Sequence, residues 1–313
     1  MTVQTAEQAS SPTIDRPFPM VVVGIPAFNA ERNIAKVIVN AKDQCHRIVV
    51  CDDGSSDDTG KIAQALGCKV VTHNRNRGYG SAIRSIIDTA NSQGADILVT
   101  LDGDGQHDAK EIQALIEPIT QGEADVVIGT RFASQGSENS IPKLRQMGIK
   151  SITKLVDSLG VSVTDAQSGF RAYGRKALSC IRPGEQGMGA STEILLEAKD
   201  NGLRIIEIPT SVRYDGRSKS TLNPLYHFSD VVASTLKVAA IRHPLLFFGA
   251  PGALFLLVSL AFGIWALNIF YETGKLVTNL TLISVGTAII GAISMIAGLL
   301  LYTLITVLRE HTA

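Results

Sequence analysis

The chain has 313 residues, with 29 Lys and Arg against 29 Asp and Glu, so its formal net charge is zero. That balance excludes nucleic-acid binding through a broadly basic surface, and the length exceeds the roughly 100–200 residues of one ordinary domain. Charge is also unevenly placed: residues 245–270 and 276–308 contain no Asp, Glu, Lys or Arg, and each run exceeds the ~20 residues that cross a bilayer as a helix.

In chain order, residues 1–19 are polar and rich in Ser, Thr and Gln, which predicts a disordered tail without the apolar stretch of a signal peptide. A domain over 20–221 is therefore expected on the cytoplasmic face. Within it, Val/Ile runs alternate with amphipathic segments: MVVVGI (20–25), a helix from about Ala30, RIVVC (47–51), a helix over 57–66, KVVTH (69–73), a helix over 80–90, ADILVTL (95–101), a helix over 109–120 and ADVVIGT (124–130). Continuous apolar strands separated by helices predict an α/β fold with a mostly parallel sheet covered on both faces. Residues 222–244 are weakly amphipathic and suit the membrane interface. Two spans follow, at 245–270 and 276–308, and the connector 271–275 is too short for anything but a hairpin. Lys237, Arg242 and Arg309 flank the spans, which predicts both termini in the cytoplasm, and Gly263, Gly286, Gly291 and Gly298 are expected to let the two helices approach. Cys45, Cys51, Cys68 and Cys180 show no paired spacing and predict free, mostly buried thiols.

In a parallel sheet, ligands bind beyond the carboxyl ends of the strands. The loops there are PAFNAE (26–31), DDGSSDDT (52–59), HNRNRGYGSA (73–82) and DGDGQHD (102–108). The first turn lacks G-x-G-x-x-G, which argues against a dinucleotide-binding dehydrogenase. Asp57, Asp58 and Thr59 suit a helix start, whereas Asp52 and Asp53 end a strand where they can accept from a base or ribose, Asp53 the more directly. Three carboxylates within 102–108 repel one another unless a cation sits between them. Two Asp-Gly pairs aim Asp102 and Asp104 at one point, an arrangement suited to Mg²⁺ or Mn²⁺ carrying a diphosphate. His107 is a further candidate ligand, although a lone His is more often structural.

PAFNAE, DDGSSDDT, the D-x-D of Asp102 and Asp104 with Gln106, GTRF (129–132) and QSGFRAY (167–173) occur in that order. On these motifs, over about residues 21–220, the chain resembles inverting family 2 glycosyltransferases of GT-A fold. QSGFRAY, YDGRSKS (214–220) and the C-terminal hairpin make it similar, within that family, to polyprenyl- or dolichyl-phosphate sugar synthases of archaeal type. The resemblance implies that Pro26, Phe28, Glu31, Asp52 and Asp53 bind the nucleotide, and that Asp102, Asp104 and Gln106 hold metal and diphosphate. It implies Arg131, Arg145 and Ser151 for the acceptor phosphate, and Arg213 and Lys219 closing over the donor as a lid. The partners would be a UDP- or GDP-linked sugar, a polyprenyl or dolichyl phosphate and membrane lipids, with Mg²⁺ or Mn²⁺ as cofactor. Where many relatives carry Glu-Asp, this chain has Ser191-Thr192-Glu193, so Glu193 acts as a base, orients a sugar hydroxyl or caps its helix. The remaining alternatives are transfer to a glycolipid hydroxyl or lipid diphosphate, and a nucleotide-binding scaffold without catalysis.

Overall fold

The computed structural model describes residues 18–132, 160–211 and 243–312, with isolated positions among 153–157 and at 233 and 240. Arg145, Ser151, Arg213 and Lys219, and almost all of the segment expected at the membrane interface, lie outside the described residues.

Seven strands form one sheet: β1 Val21–Ala27, β2 Arg47–Asp52, β3 Lys69–Thr72, β4 Ile97–Thr100, β5 Val126–Thr130, β6 Arg171–Gly174 and β7 Ile205–Pro209, in the order β3-β2-β1-β4-β6-β5-β7. All neighbours are parallel except β6, which runs antiparallel to both β4 and β5. The helices beside them are α1 Glu31–Lys42, α2 Thr59–Ala65, α3 Tyr79–Ser92, α4 Ile112–Thr120, α5 Arg175–Cys180 and α6 Ala190–Asp200. The sheet side chains alternate between two cores. Val21, Val23 and Ile25 pack with Ile34 and Ile38 of α1 and Ile112 and Leu115 of α4. Val22, Val49 and Leu98 pack with Ile83, Ile86 and Ile87 of α3 and Ile194 of α6. Gly24 interrupts β1 because Ile86 crosses there, and a Cβ would sit 2.2 Å from its Cγ2.

Strands one to five and the first four helices follow the sequence pattern, with ends moved by a few residues. β6 does not. Its four residues, RAYG, include a guanidinium buried to 1% exposure, and no apolar run announces it.

The C-terminal hairpin consists of α7 Ala250–Thr273, entered through a π-turn at Leu245–Gly249, and α8 Thr278–Thr312. Both are long and apolar enough to cross a membrane. Gly274 closes α7 at φ 64°, its N–H donating to Phe270 O, so the connector lies slightly later than the sequence suggested. The helices touch backbone to backbone: a Cβ on Gly252 would be 2.9 Å from Gly291 O, and one on Gly291 would be 2.8 Å from Gly252 O. Gly298 is similarly tight against Gly249, and Gly263 faces Ser284. Gly286 meets nothing within 4 Å, so of the four expected glycines it is outside the contact. Ser259 and Ser284 each donate to the other's carbonyl, at 2.7 and 2.9 Å, and Ser294 donates to Phe248 O at 2.7 Å, inside the π-turn. Such bonds suit a bilayer, where an unsatisfied polar group costs several kcal/mol.

Candidate active site

The loops after β1 and β2 lock together. Asn29, at φ 50°, donates its N–H to Ser55 Oγ and accepts from Ser56 N at 2.9 Å. Asp57 accepts from Thr59 N at 3.0 Å, as the sequence pattern expects of a helix start, and also from Glu31 N at 3.1 Å, so one carboxylate serves the starts of both α1 and α2. Burial pushes Asp57 up, but these hydrogen bonds outweigh it and hold its carboxyl below the usual range. Glu31 accepts from Asp58 N at 3.3 Å and Phe28 stands 46% exposed at the rim. Pro26 lies beneath, its carbonyl under Gly103.

Asp52 and Asp53 are both buried. Asp52 accepts from Ser55 N at 3.0 Å and packs so closely on α2 that a Cβ at Gly60 would meet its Oδ2 at 2.5 Å. Asp53 accepts from Arg77 N at 2.9 Å, Gly78 N at 2.8 Å and the ring Nδ1 of His73 at 2.6 Å. A carboxylate only accepts, so His73 Nδ1 donates to Asp53, and His73 Nε2 lies 2.9 Å from Ser85 Oγ. Both carboxylates are thus bonded within the protein. Asp53 shapes the 73–80 loop, a role the sequence reading missed; His73 directly after β3 was its available signal.

After β4, the three acidic residues part company. Asp108 accepts from Lys110 N at 3.1 Å and starts a 3₁₀ turn over Ala109–Glu111. Asp104 is exposed and accepts from Gln106 N at 3.0 Å. Asp102 lies over Gly169 of QSGFRAY, where a Cβ would come within 2.4 Å of Oδ1. His107 stacks on Phe170 with centroids 4.9 Å apart, places Nε2 3.9 Å from Asp102 Oδ2, and has a buried Nδ1 with no hydrogen-bond partner. Burial above all, with Arg131 nearby and against the pull of Asp104, brings its pKa down to about 4, so the ring is neutral at physiological pH. Among the described residues no three His, Cys, Asp or Glu side chains enclose an ion as they stand. The carboxylates of Asp102 and Asp104, with the His107 ring beside Asp102, nevertheless fit a divalent cation that takes its other ligands from a diphosphate.

Arg131, the first residue after β5 and one of those expected at the acceptor phosphate, is 8% exposed and locked to Asp165. Its Nε and Nη2 donate to the two carboxylate oxygens at 2.6 and 2.7 Å. Glu207 of β7 fixes that turn by accepting from Thr164 N and Asp165 N at 2.7 and 3.0 Å. The Arg131 fork thus forms a buried ion pair with Asp165.

The first turn of α6 is equally committed. Arg171 donates to the carbonyls of Ala166, Ser168 and Ser191 at 2.8, 2.8 and 2.9 Å. Gln167 Nε2 donates to Thr192 Oγ1 at 3.1 Å, and Glu193 accepts from Glu185 N at 2.7 Å. Tyr79, at the head of α3, lies beside Ser191, and burial pushes its phenol up.

A UDP-N-acetylglucosamine–dolichyl-phosphate N-acetylglucosaminyltransferase of Methanococcus voltae is 33% identical over 218 residues, covering 62% of this chain and 86% of that protein. A polyprenol monophosphomannose synthase of Mycolicibacterium smegmatis is 30% identical over 210 residues, covering 63% and 79%. Among solved structures, the glucosyl-3-phosphoglycerate synthase of Mycobacterium tuberculosis in complex with UDP superposes with a TM-score of 0.55 at 22% identity, over 70% of this chain and 79% of that one, a likeness of fold. The family model for glycosyl transferase family 2 matches residues 22–182, from the first residues of β1 to the end of α5. The acidic turn after β4 and the buried turn before β6 thus lie inside the matched span, and the chain belongs to glycosyl transferase family 2.

Proposed function

We propose that the chain transfers a hexose or N-acetylhexosamine from a UDP- or GDP-linked sugar to a polyprenyl or dolichyl phosphate, with inversion, on the cytoplasmic face of a membrane. The product would be a lipid-linked sugar for protein glycosylation or surface glycans. The observation that carries this reading is the Asp102/Asp104 turn at the carboxyl edge of β4 in a chain that ends in an apolar helical hairpin. Relatives named for dolichyl-phosphate and polyprenol transfer support it.

The nucleotide lies against the loops after β1, β2 and β3, with Pro26, Phe28 and Glu31 at the rim and Asp52 and Asp53 bracing the loops from within. Asp102 and Asp104, with Gln106 beside them, would hold a divalent metal, Mg²⁺ or Mn²⁺, whose charge would stabilise the departing diphosphate. An oxygen of the acceptor phosphate attacks the anomeric carbon from the face opposite the diphosphate. The new C–O bond forms as the sugar's bond to the diphosphate oxygen breaks, and the nucleoside diphosphate departs with the electron pair. A phosphate monoester, with a second pKa of about 6, needs no base. The engagement of Glu193 with Glu185 N suits such a nucleophile. Arg145 and Ser151 would seat the phosphate, with Arg131 contributing from its ion pair, while Arg213 and Lys219 close over the donor. The hairpin keeps the lipid tail in hydrocarbon while its phosphate reaches the site.

The test is to incubate the full chain, in lipid nanodiscs with Mg²⁺ or Mn²⁺, with a panel of UDP- and GDP-sugars and a polyprenyl phosphate, and to identify the glycolipid and its anomeric configuration. A single inverted sugar phosphate lipid is expected. Efficient transfer to a water-soluble sugar hydroxyl without lipid phosphate would refute the reading.

A further inference from the structure

The nucleotide loop is held from two directions, and only one of them is Asp53. The other is the segment before α6. Gly80 N donates to Gln186 O at 2.8 Å, a Cβ on Gly80 would lie 1.9 Å from Glu185 O, and one on Gly78 would lie 2.4 Å from Gln186 O. Residues 185 and 186 thus bear directly on the backbone of the loop whose Arg77 and Gly78 amides Asp53 holds. That segment is tied back by Glu193 Oε2, which accepts from Glu185 N at 2.7 Å, and a Cβ on Gly184 would lie 3.6 Å from the other oxygen.

We propose that Glu193 is a positioning residue, a latch that sets the nucleotide loop through Glu185 and Gln186, and that it is not the base of the transfer. This rests on the proposed function only in taking the 73–80 loop as nucleotide-binding. Chemistry separates the two roles. A latch needs an oxygen acceptor at one place, which an amide still provides; a base needs a carboxylate that takes up a proton. Reach matters to a latch as well, and Asp is one methylene shorter while remaining acceptable in the first turn of a helix.

The experiment compares wild type with Glu193→Ala, Glu193→Gln and Glu193→Asp in the full chain. UDP and GDP are titrated in the presence of Mn²⁺ without acceptor, and kcat and donor KM are measured with polyprenyl phosphate. For Ala and Asp the latch predicts nucleotide affinity weakened about tenfold, the size of one hydrogen bond to an ionised group, with donor KM raised alike and kcat within about threefold. Gln is expected to restore most of the affinity. Loss of kcat by about 100-fold or more in both Ala and Gln with nucleotide affinity intact would show a base and overturn the proposal. So would an acidic limb of kcat/KM that vanishes in Gln, or wild-type affinity in all three variants. If Ala fails to fold, Asp against Gln decides. If the wild type binds neither nucleotide, the donor assignment fails, and amide exchange at residues 77–80 still reads the latch: faster exchange in Asp supports it, and unchanged exchange refutes it.

Discussion

Arg131 and Asp165 form a two-pronged ion pair at the end of β5, at 2.6 and 2.7 Å, with Asp165 fully buried. Removing one partner strands the other charge, at a cost of about 3–5 kcal/mol. Arg131→Ala should therefore lower stability before it changes acceptor affinity, whereas Arg131→Met with Asp165→Leu should cost markedly less. Denaturant unfolding of the two variants checks this; a single mutant as stable as wild type would contradict the pair's structural role. Acceptor affinity is better probed at Arg145.

Asp104 is exposed and packs no core. Asp104→Ala should fold normally and lose metal-dependent turnover by about 100-fold or more. Gly169→Ala should do similar damage without deleting any carboxylate, because its Cβ would displace Asp102 from a position 2.4 Å away. Circular dichroism with a Mn²⁺ titration of activity measures both. Full activity in excess chelator would refute the metal assignment.

Two glycines in α8 separate packing from composition. Gly291→Leu should push the helices apart at Gly252 and destabilise the hairpin by about 1–3 kcal/mol, while Gly286→Leu, with nothing within 4 Å, should leave it intact. Thermal stability in detergent distinguishes them.

Asp125 contributes to stability in a pH-dependent way. Burial raises its pKa, but the Arg204 N–H and guanidinium, with Lys176, prevail and hold it below the usual value. Its contribution is thus present above the unfolded carboxylate pKa and lost as pH falls through the lower, folded one. Asp125→Asn should narrow the loss of melting temperature between neutral and acidic pH, and an unchanged acid profile would count against it.

The thiols should be sluggish. Burial, then Asp53 and Asp52, push Cys51 up to about 12, and burial pushes Cys45 up to about 11. Both stay protonated at pH 8, and the thiolate is the reactive form. Disulfide-exchange reagents should label Cys51 and Cys45 in the native chain far more slowly than after unfolding.

The sequence made some of this legible and hid the rest for definite reasons. Val/Ile runs disclosed β1, β2, β4 and β5 because strands buried on both faces need them, and the partly exposed edge strand β3 keeps a shorter Val pair; Asp57 was legible as a helix start because that role is local. β6 escaped because Arg171 spends a strand position binding three carbonyls. Asp53's place at a strand end was visible, but its bonds to the amides of Arg77 and Gly78 were not, because those residues lie 24 and 25 positions away. Asp165 carried no motif at all, and only the fold brings it to Arg131.

The insertion of β6 between β4 and β5 sets an order on biosynthesis. As the chain leaves the ribosome, β1 to β4 can assemble in sequence, but β4 keeps an open edge until residues 171–174 emerge, and β5 has no neighbour before β6 and β7 arrive. Unpaired apolar edges recruit other chains, so a nascent chain stalled between β5 and β6 is the species most in need of a chaperone. The hairpin is translated after all seven strands, which lets the sheet close in the aqueous phase before two long apolar helices emerge.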